Sequence, residues 1–218
     1  LLFVQQRLLE VEGQLDQLLR DTVKAEVAAL RIGDFDTFMN LQRSATDEWI
    51  NAQQNTFRQY ETLKVESDVT LTGNVLDTKI EEQRGRAIVE EIIDGVPYAH
   101  VWFYWRYADG WRHVPPDLTF WGDEHTLESD QVLVRYRDVD EKFAHQVEEK
   151  IIAWLERGCQ ILICTDIPQV TVNIITDSPS PAIWINEASW ELVMQSPYVS
   201  GARSDMPFDI PLQIQVAT

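Results

Sequence analysis

The sequence predicts an α+β fold: N-terminal helices packed on a curved antiparallel sheet, a cystatin-like cone, followed by a small α/β unit with one long helix. Three observations predict it. Apolar residues recur at helical spacing as far as Leu63, and from Ser67 the period falls to two with β-branched residues. Beyond residue 130 a strand, a long amphipathic helix and further strands follow.

In the first segment Val4, Leu8, Val11, Leu15 and Leu18 follow a 4-3-4-3 spacing, and Val23, Val27 and Leu30 continue the stripe. Such a short heptad run is thin support for a stalk, so a long helix docked on its own domain is expected. Gly33 ends it, and Asp34 is placed to cap a short helix through Met39. A third helix is expected from Ser44, whose "SATD" spacing fits a capping box with Asp47. It carries Trp49, Ala52, Thr56, Tyr60 and Leu63 on one face.

Four strands follow: "DVTLTGNVLDTKI", "RAIVEEIIDG", "VPYAHVWFYWRYADG" and "WRHV". Asp94-Gly95 and Asp109-Gly110 mark hairpin turns. A two-residue turn at Asp109-Gly110 sets Trp105 opposite Val114 and Arg106 opposite His113. Pro115-Pro116 and the polar run after Trp121 place a boundary that leaves residues 1–122 as the first domain and 123–218 as the second. In the second, "QVLVRY" reads as a strand, "DEKFAHQVEEKIIAWLERGCQIL" as the helix, and "QVTVNIIT", "PAIWIN" and "WELVMQ" as strands.

Charge narrows the function. With 36 acidic and 18 basic residues the net charge is −18, which repels nucleic acid and anionic lipid. No D-x-[DN]-x-[DN]-G calcium loop occurs in the sequence. Cys159 and Cys164 are spaced neither as a redox pair nor as zinc ligands, so two buried thiols are expected. His100, His113, His125 and His145 share no i, i+3 or i, i+4 spacing, and no H-E-x-x-H is present. No metal, cofactor or nucleophile motif is therefore assigned, and no residue is named catalytic. Asp47, Asp117, His100 and His113 are the acid–base candidates, each first read as a cap, turn or surface residue.

Residues 98–123 hold nine aromatic side chains. Alternation puts Phe103, Trp105 and Tyr107 on one strand face, which we assign to the helices; with Trp49 and Tyr60 they are the ligand-pocket candidates. Trp102 and Tyr104 fall on the other face as interface candidates, for a protein partner, a neighbouring domain or a second copy.

"RIGDFDTFMNLQ", the "WINAQQNTFRQYETL" helix and the meander ending "YADGWRH" resemble the cone-shaped fold of nuclear transport factor two, ketosteroid isomerase and the SnoaL-like polyketide cyclases, over residues 5–122. "DQVLVRYRDVDEKFAHQVEEKIIAWLE", "VTVNIITD" and "ELVMQSPYVSG" resemble the segment preceding the catalytic helix in gluzincin-type zinc peptidases of membrane-anchored bacterial proteins, over residues 127–212. Together these imply a non-catalytic binding or scaffolding segment of a larger extracytoplasmic protein. The alternative is a lyase- or isomerase-type enzyme, or a binder of a small apolar ligand, in the cone's pocket. The apolar start "LLFV" and the unfinished "FDIPLQIQVAT" add two expectations: a membrane anchor before Leu1 and more folded chain after Thr218.

Overall fold

Helix α1 (Leu2–Ile32) forms because its stripe closes onto a sheet. Leu19, Val23, Val27 and Leu30 are buried to 1% exposure or less, each contributing about 2 kcal/mol of apolar burial. Its N-terminal part, by contrast, exposes every described side chain from Gln5 to Gln14. The computed structural model describes residues 2–162, 164, 167–185 and 189–217, and only the backbone of residues 2–4 and 8. The Val4 and Leu8 side chains of the stripe, and Asn186 of "PAIWIN", therefore lie outside the described residues.

The chain divides into two compact units, one ending at Asp117 and the other starting at Leu118, where the sequence pattern places the boundary between 122 and 123. In the first, α1 stops in a Schellman arrangement, with Asp34 N–H donating to Ala29 O at 2.9 Å and Gly33 N–H to Leu30 O at 3.4 Å. Asp34 then caps α2 (Phe35–Asn40), accepting from Thr37 N–H at 3.0 Å. Helix α3 (Asp47–Glu66) starts three residues later than expected. Its N-cap is Thr46 and makes no side-chain cap; Ser44 Oγ instead accepts from Thr46 N–H, so the expected capping box is not formed.

Strands β1 (Val69–Glu81), β2 (Arg84–Ile93), β3 (Val96–Tyr107) and β4 (Gly110–Val114) pair antiparallel in sequence order. Register shifts between Leu71 and Val75 and again before Asp77 bend β1. Helix α1 is tied to that bent strand by Arg20, which donates to Val75 O at 3.0 Å and to Thr78 Oγ1 at 2.8 Å. The core holds the α1 stripe, Phe38, Phe57, Leu71, Ala87, Val89, Tyr104 and Trp111.

The two Asp-Gly hairpins differ. Asp94 (φ 49°) and Gly95 (φ 77°) both adopt positive φ, which keeps Ile93 opposite Val96 as in a two-residue primed turn. At the second, Tyr107 pairs with Gly110, and only Gly110 (φ 111°) has positive φ. Ala108 and Asp109 thus make a two-residue turn, and Gly110 opens the return strand. Tyr104 consequently lies opposite His113 and Phe103 opposite Val114, a correction of two residues to the expected register.

The second unit is a mixed sheet with a long helix. Strands β5 (Glu124–Glu128), β6 (Val132–Arg137), β7 (Val170–Ile175), β8 (Ala182–Trp184) and β9 (Glu191–Gln195) lie in the order β5-β6-β7-β9-β8. The parallel β6–β7 pair requires a crossover, supplied by α4 (Glu141–Ile161). Phe143, Ala144, Val147 and Ile151 are the buried residues of α4, which packs on β6. A last helix, α5 (Ile210–Ala217), occupies the stretch that reads as an unfinished pattern. Asp209 caps it, accepting from Leu212 N–H at 3.0 Å, and Pro211 sits in its first turn.

Cys159 and Cys164 are joined in a disulfide, with Cα atoms 5.1 Å apart, and this corrects the expectation of two buried thiols. Helix α4 ends at Ile161, and the chain beyond brings Cys164 within bridging distance of its last turn. Among the described residues no helix is long and apolar enough to cross a membrane.

Candidate functional site

The polar centre of the first unit is Glu26, a carboxylate only 1% exposed on the apolar stripe of α1. Gln42 Nε2 donates to its Oε1 at 2.7 Å, and His113 Nδ1 lies 2.7 Å from the same oxygen. The Tyr104 hydroxyl donates to Oε2 at 2.8 Å. Each partner is delivered by the fold: Gln42 follows α2, where the chain pairs with β4 through His113 N–H to Leu41 O and Arg43 N–H to His113 O, both 2.8 Å. Tyr104 and His113 are opposed across β3 and β4. The His113 ring stacks with Tyr104, at 5.0 Å, and with Trp102, at 5.2 Å, and makes an edge contact with Trp49, also at 5.2 Å. Burial, reinforced by the charge of Glu26 and the hydrogen bond to it, pushes the Tyr104 phenol well above its ordinary pKa.

This network reverses the expected strand faces. Tyr104, 1% exposed, and the partly buried Trp102 pack with α1 in the core. Phe103, Trp105 and Tyr107 point the other way. Phe103 is 3% exposed and opposite Arg86, Trp105 is 40% exposed, and Tyr107 lies under the Arg43 guanidinium at 4.6 Å. The aromatic alternation was right in period and wrong in side. Of the five pocket candidates, Trp49 abuts His113 and Tyr60 lines a cleft. The acid–base candidates separate too: His113 joins Glu26, His100 joins a different acid, Asp117 pairs with Arg84 at 3.5 Å, and Asp47 begins α3.

That cleft, about 520 Å³, opens between α3 and the end of β2 and is lined by Thr56, Arg58, Gln59, Tyr60, Thr62, Leu63, Glu91 and Ile93. Glu91 is 5% exposed. His100 Nε2 stands 2.9 Å from Glu91 Oε2, yet no aligned hydrogen bond joins them, and no donor among the described residues reaches Oε1. Burial, then the charge and hydrogen bond of Glu91, hold the Tyr60 phenol far above its ordinary pKa.

The second unit has a larger, more polar cleft of about 950 Å³, beside the carboxyl ends of β6 and β7. His125 Nε2 meets Asp138 at 2.5 Å there, and Arg137 meets Glu124 at 3.1 Å. At its base Asp140, 1% exposed, accepts from Trp121 Nε1 at 2.8 Å and from Ser196 Oγ. Burial, with the charge of Asp140, pushes the Tyr198 phenol up to about 12. Among the described residues no three His, Cys, Asp or Glu side chains are grouped to hold a metal ion.

Sequence reasoning passed over Glu26, Gln42 and Glu91. The signal was there: Glu26 interrupts the apolar stripe between Val23 and Val27, and Glu91 occupies the inward phase of "AIVEEII" after Ala87 and Val89. Comparison with protein-family models, curated proteins and solved structures finds no significant match.

Proposed function

We propose that this chain is a non-catalytic binding and scaffolding segment of a larger, membrane-anchored, extracytoplasmic bacterial protein, accessory to a zinc-peptidase-like part. In this reading the first unit is a cone related to the nuclear-transport-factor-two-like and SnoaL-like folds. One observation carries it: the second unit leaves large apolar side chains bare, with Ile183 46%, Ile185 51% and Ile210 61% exposed. These belong to or adjoin β8, at one end of the sheet order, and α5. Bare apolar side chains of this kind mark contact with another protein surface.

Two further facts support the reading. The disulfide fits an oxidising compartment outside the cytoplasm. The alternative, an isomerase- or lyase-type enzyme working in the cone, needs an interior carboxylate free to take a proton. Glu26 does not supply it, because both its oxygens are already engaged by the chain's own groups.

The test is to make residues 1–218 and the polypeptide that follows them in the gene as two separate molecules. Sedimentation velocity should show a one-to-one complex, weakened by Ile183→Ser or Ile210→Ser. Two species that sediment independently would overturn the proposal.

A further inference from the structure

We infer that the cleft between α3 and β2 is a binding site for a small organic cation, an ammonium head on an apolar body, with Glu91 as the acceptor of that head. The proposal goes beyond the scaffolding role and does not depend on it.

Among the described residues, Glu91 is the buried carboxylate that the fold leaves with an unpartnered oxygen. Glu26 has partners on both oxygens, whereas Glu91, 95% removed from solvent and hydrogen-bonded to the Tyr60 phenol, has no donor on Oε1 among the described residues. Burying a carboxylate oxygen without a donor is costly, and an N–H⁺ group entering from the cleft offsets that cost through a charge-assisted hydrogen bond. The neighbouring His100 Nε2 is 2.9 Å from the other oxygen and out of line for a hydrogen bond.

The walls set the rest of the ligand. Leu63, Ile93, the Tyr60 ring and the methyl groups of Thr56 and Thr62 form a largely apolar lining. The volume of about 520 Å³ falls in the range of small-molecule sites. Arg58, the one cationic side chain of the lining, is exposed and turned to Asn55, donating to its Oδ1 at 3.2 Å. The net charge of −18 favours encounter with a cation over an anion.

Benzylammonium is the probe, with benzyl alcohol and benzoate as uncharged and anionic counterparts, and the methyl resonances of Ile93 and Leu63 as the readout. Benzylammonium should shift both methyls saturably, at least about ten-fold more tightly than benzyl alcohol, the difference expected of a hydrogen bond to a charged group. Glu91→Gln should weaken benzylammonium by a similar factor while the remaining methyl spectrum stays native. Thr62→Trp, which fills the cleft from its solvent side, should abolish binding. The inference is overturned if benzylammonium leaves the two methyls unmoved, if benzoate or benzyl alcohol binds as well, or if Glu91→Gln binds as tightly as the parent. Should Glu91→Gln fail to fold, the three-probe comparison on the parent protein decides the matter alone.

Discussion

Replacing Glu26 by alanine should be among the most damaging single changes in the first unit. The substitution removes the acceptor of the Tyr104 hydroxyl and of His113 Nδ1, both in side chains almost wholly buried. Gln42 Nε2 keeps a second acceptor, Phe38 O at 3.3 Å, so two donors are stranded rather than three. Each stranded buried donor costs about 1–3 kcal/mol, and removing one member of a buried charged network costs about 3–5 kcal/mol. These estimates converge on about 4 kcal/mol, or roughly 10 °C in Tm for a chain of this size. Glu26→Gln keeps one oxygen for His113 and places an amide opposite a hydroxyl that can accept, so it should cost only about 1–2 kcal/mol. Urea unfolding followed by tryptophan fluorescence is the assay, because Trp49 and Trp102 flank His113 and report on this region. A Glu26→Ala protein within about 1 kcal/mol of the parent would show that the network does not hold the interior together.

Three other predictions follow from single features. Asp16 accepts from Thr78 and Arg20; burial raises its pKa, but those two bonds and the Arg20 charge outweigh it and lower the value below the ordinary range. Its contribution, about 0.5 kcal/mol for a solvent-screened pair, is therefore present above about pH 4 and lost as pH falls through the folded-state pKa. Asp16→Asn should accordingly be less stable than the parent at pH 6, and indistinguishable in strongly acidic buffer. Without reductant, denatured protein should show no thiol to an alkylating reagent, and the Cys159→Ser, Cys164→Ser double variant should lose about 2 kcal/mol, as expected for so short a loop. Gly122 has φ 116°, and a Cβ there would overlap the Asp138 side chain, so Gly122→Ala should cost on the order of 2–4 kcal/mol in thermal unfolding of the second unit.

Much of the architecture was legible because periodicity reports burial on one side of an element. The stripe of α1, the two-residue alternation of β2 and the amphipathic α4 all have a polar side to contrast with the apolar one. Strand β3 lacks that contrast: Trp102 and Tyr104 alternate with Phe103 and Trp105, so pattern alone had no means of saying which face meets the helices. The deciding group was Glu26, on a distant helix, which selects the side carrying the Tyr104 hydroxyl. Strand β5 was missed because "EHTLE" is mostly exposed, and its place is set by ladder bonds to β6 rather than by side chains. The two Asp-Gly pairs look alike in sequence, but at the second the turn falls on Ala108-Asp109 rather than Asp109-Gly110, which shifts the pairing by two residues. The disulfide depended on where α4 ends, which its apolar continuation "QILIC" concealed. The cleft at Glu91 needed α3 and β2 to be brought together, a tertiary fact that neither segment carries by itself.

Hydrogen–deuterium exchange, read by mass spectrometry on residues 1–218 alone and within the intact protein, tests the scaffolding account most directly. The account predicts protection gained in the intact protein around Ile183–Ile185 and along α5, where apolar side chains are bare. It predicts no change at the peptides carrying Glu26, Tyr104 and His113, which are already closed within the first unit. Identical exchange across the β8 and α5 peptides in the two forms would contradict it.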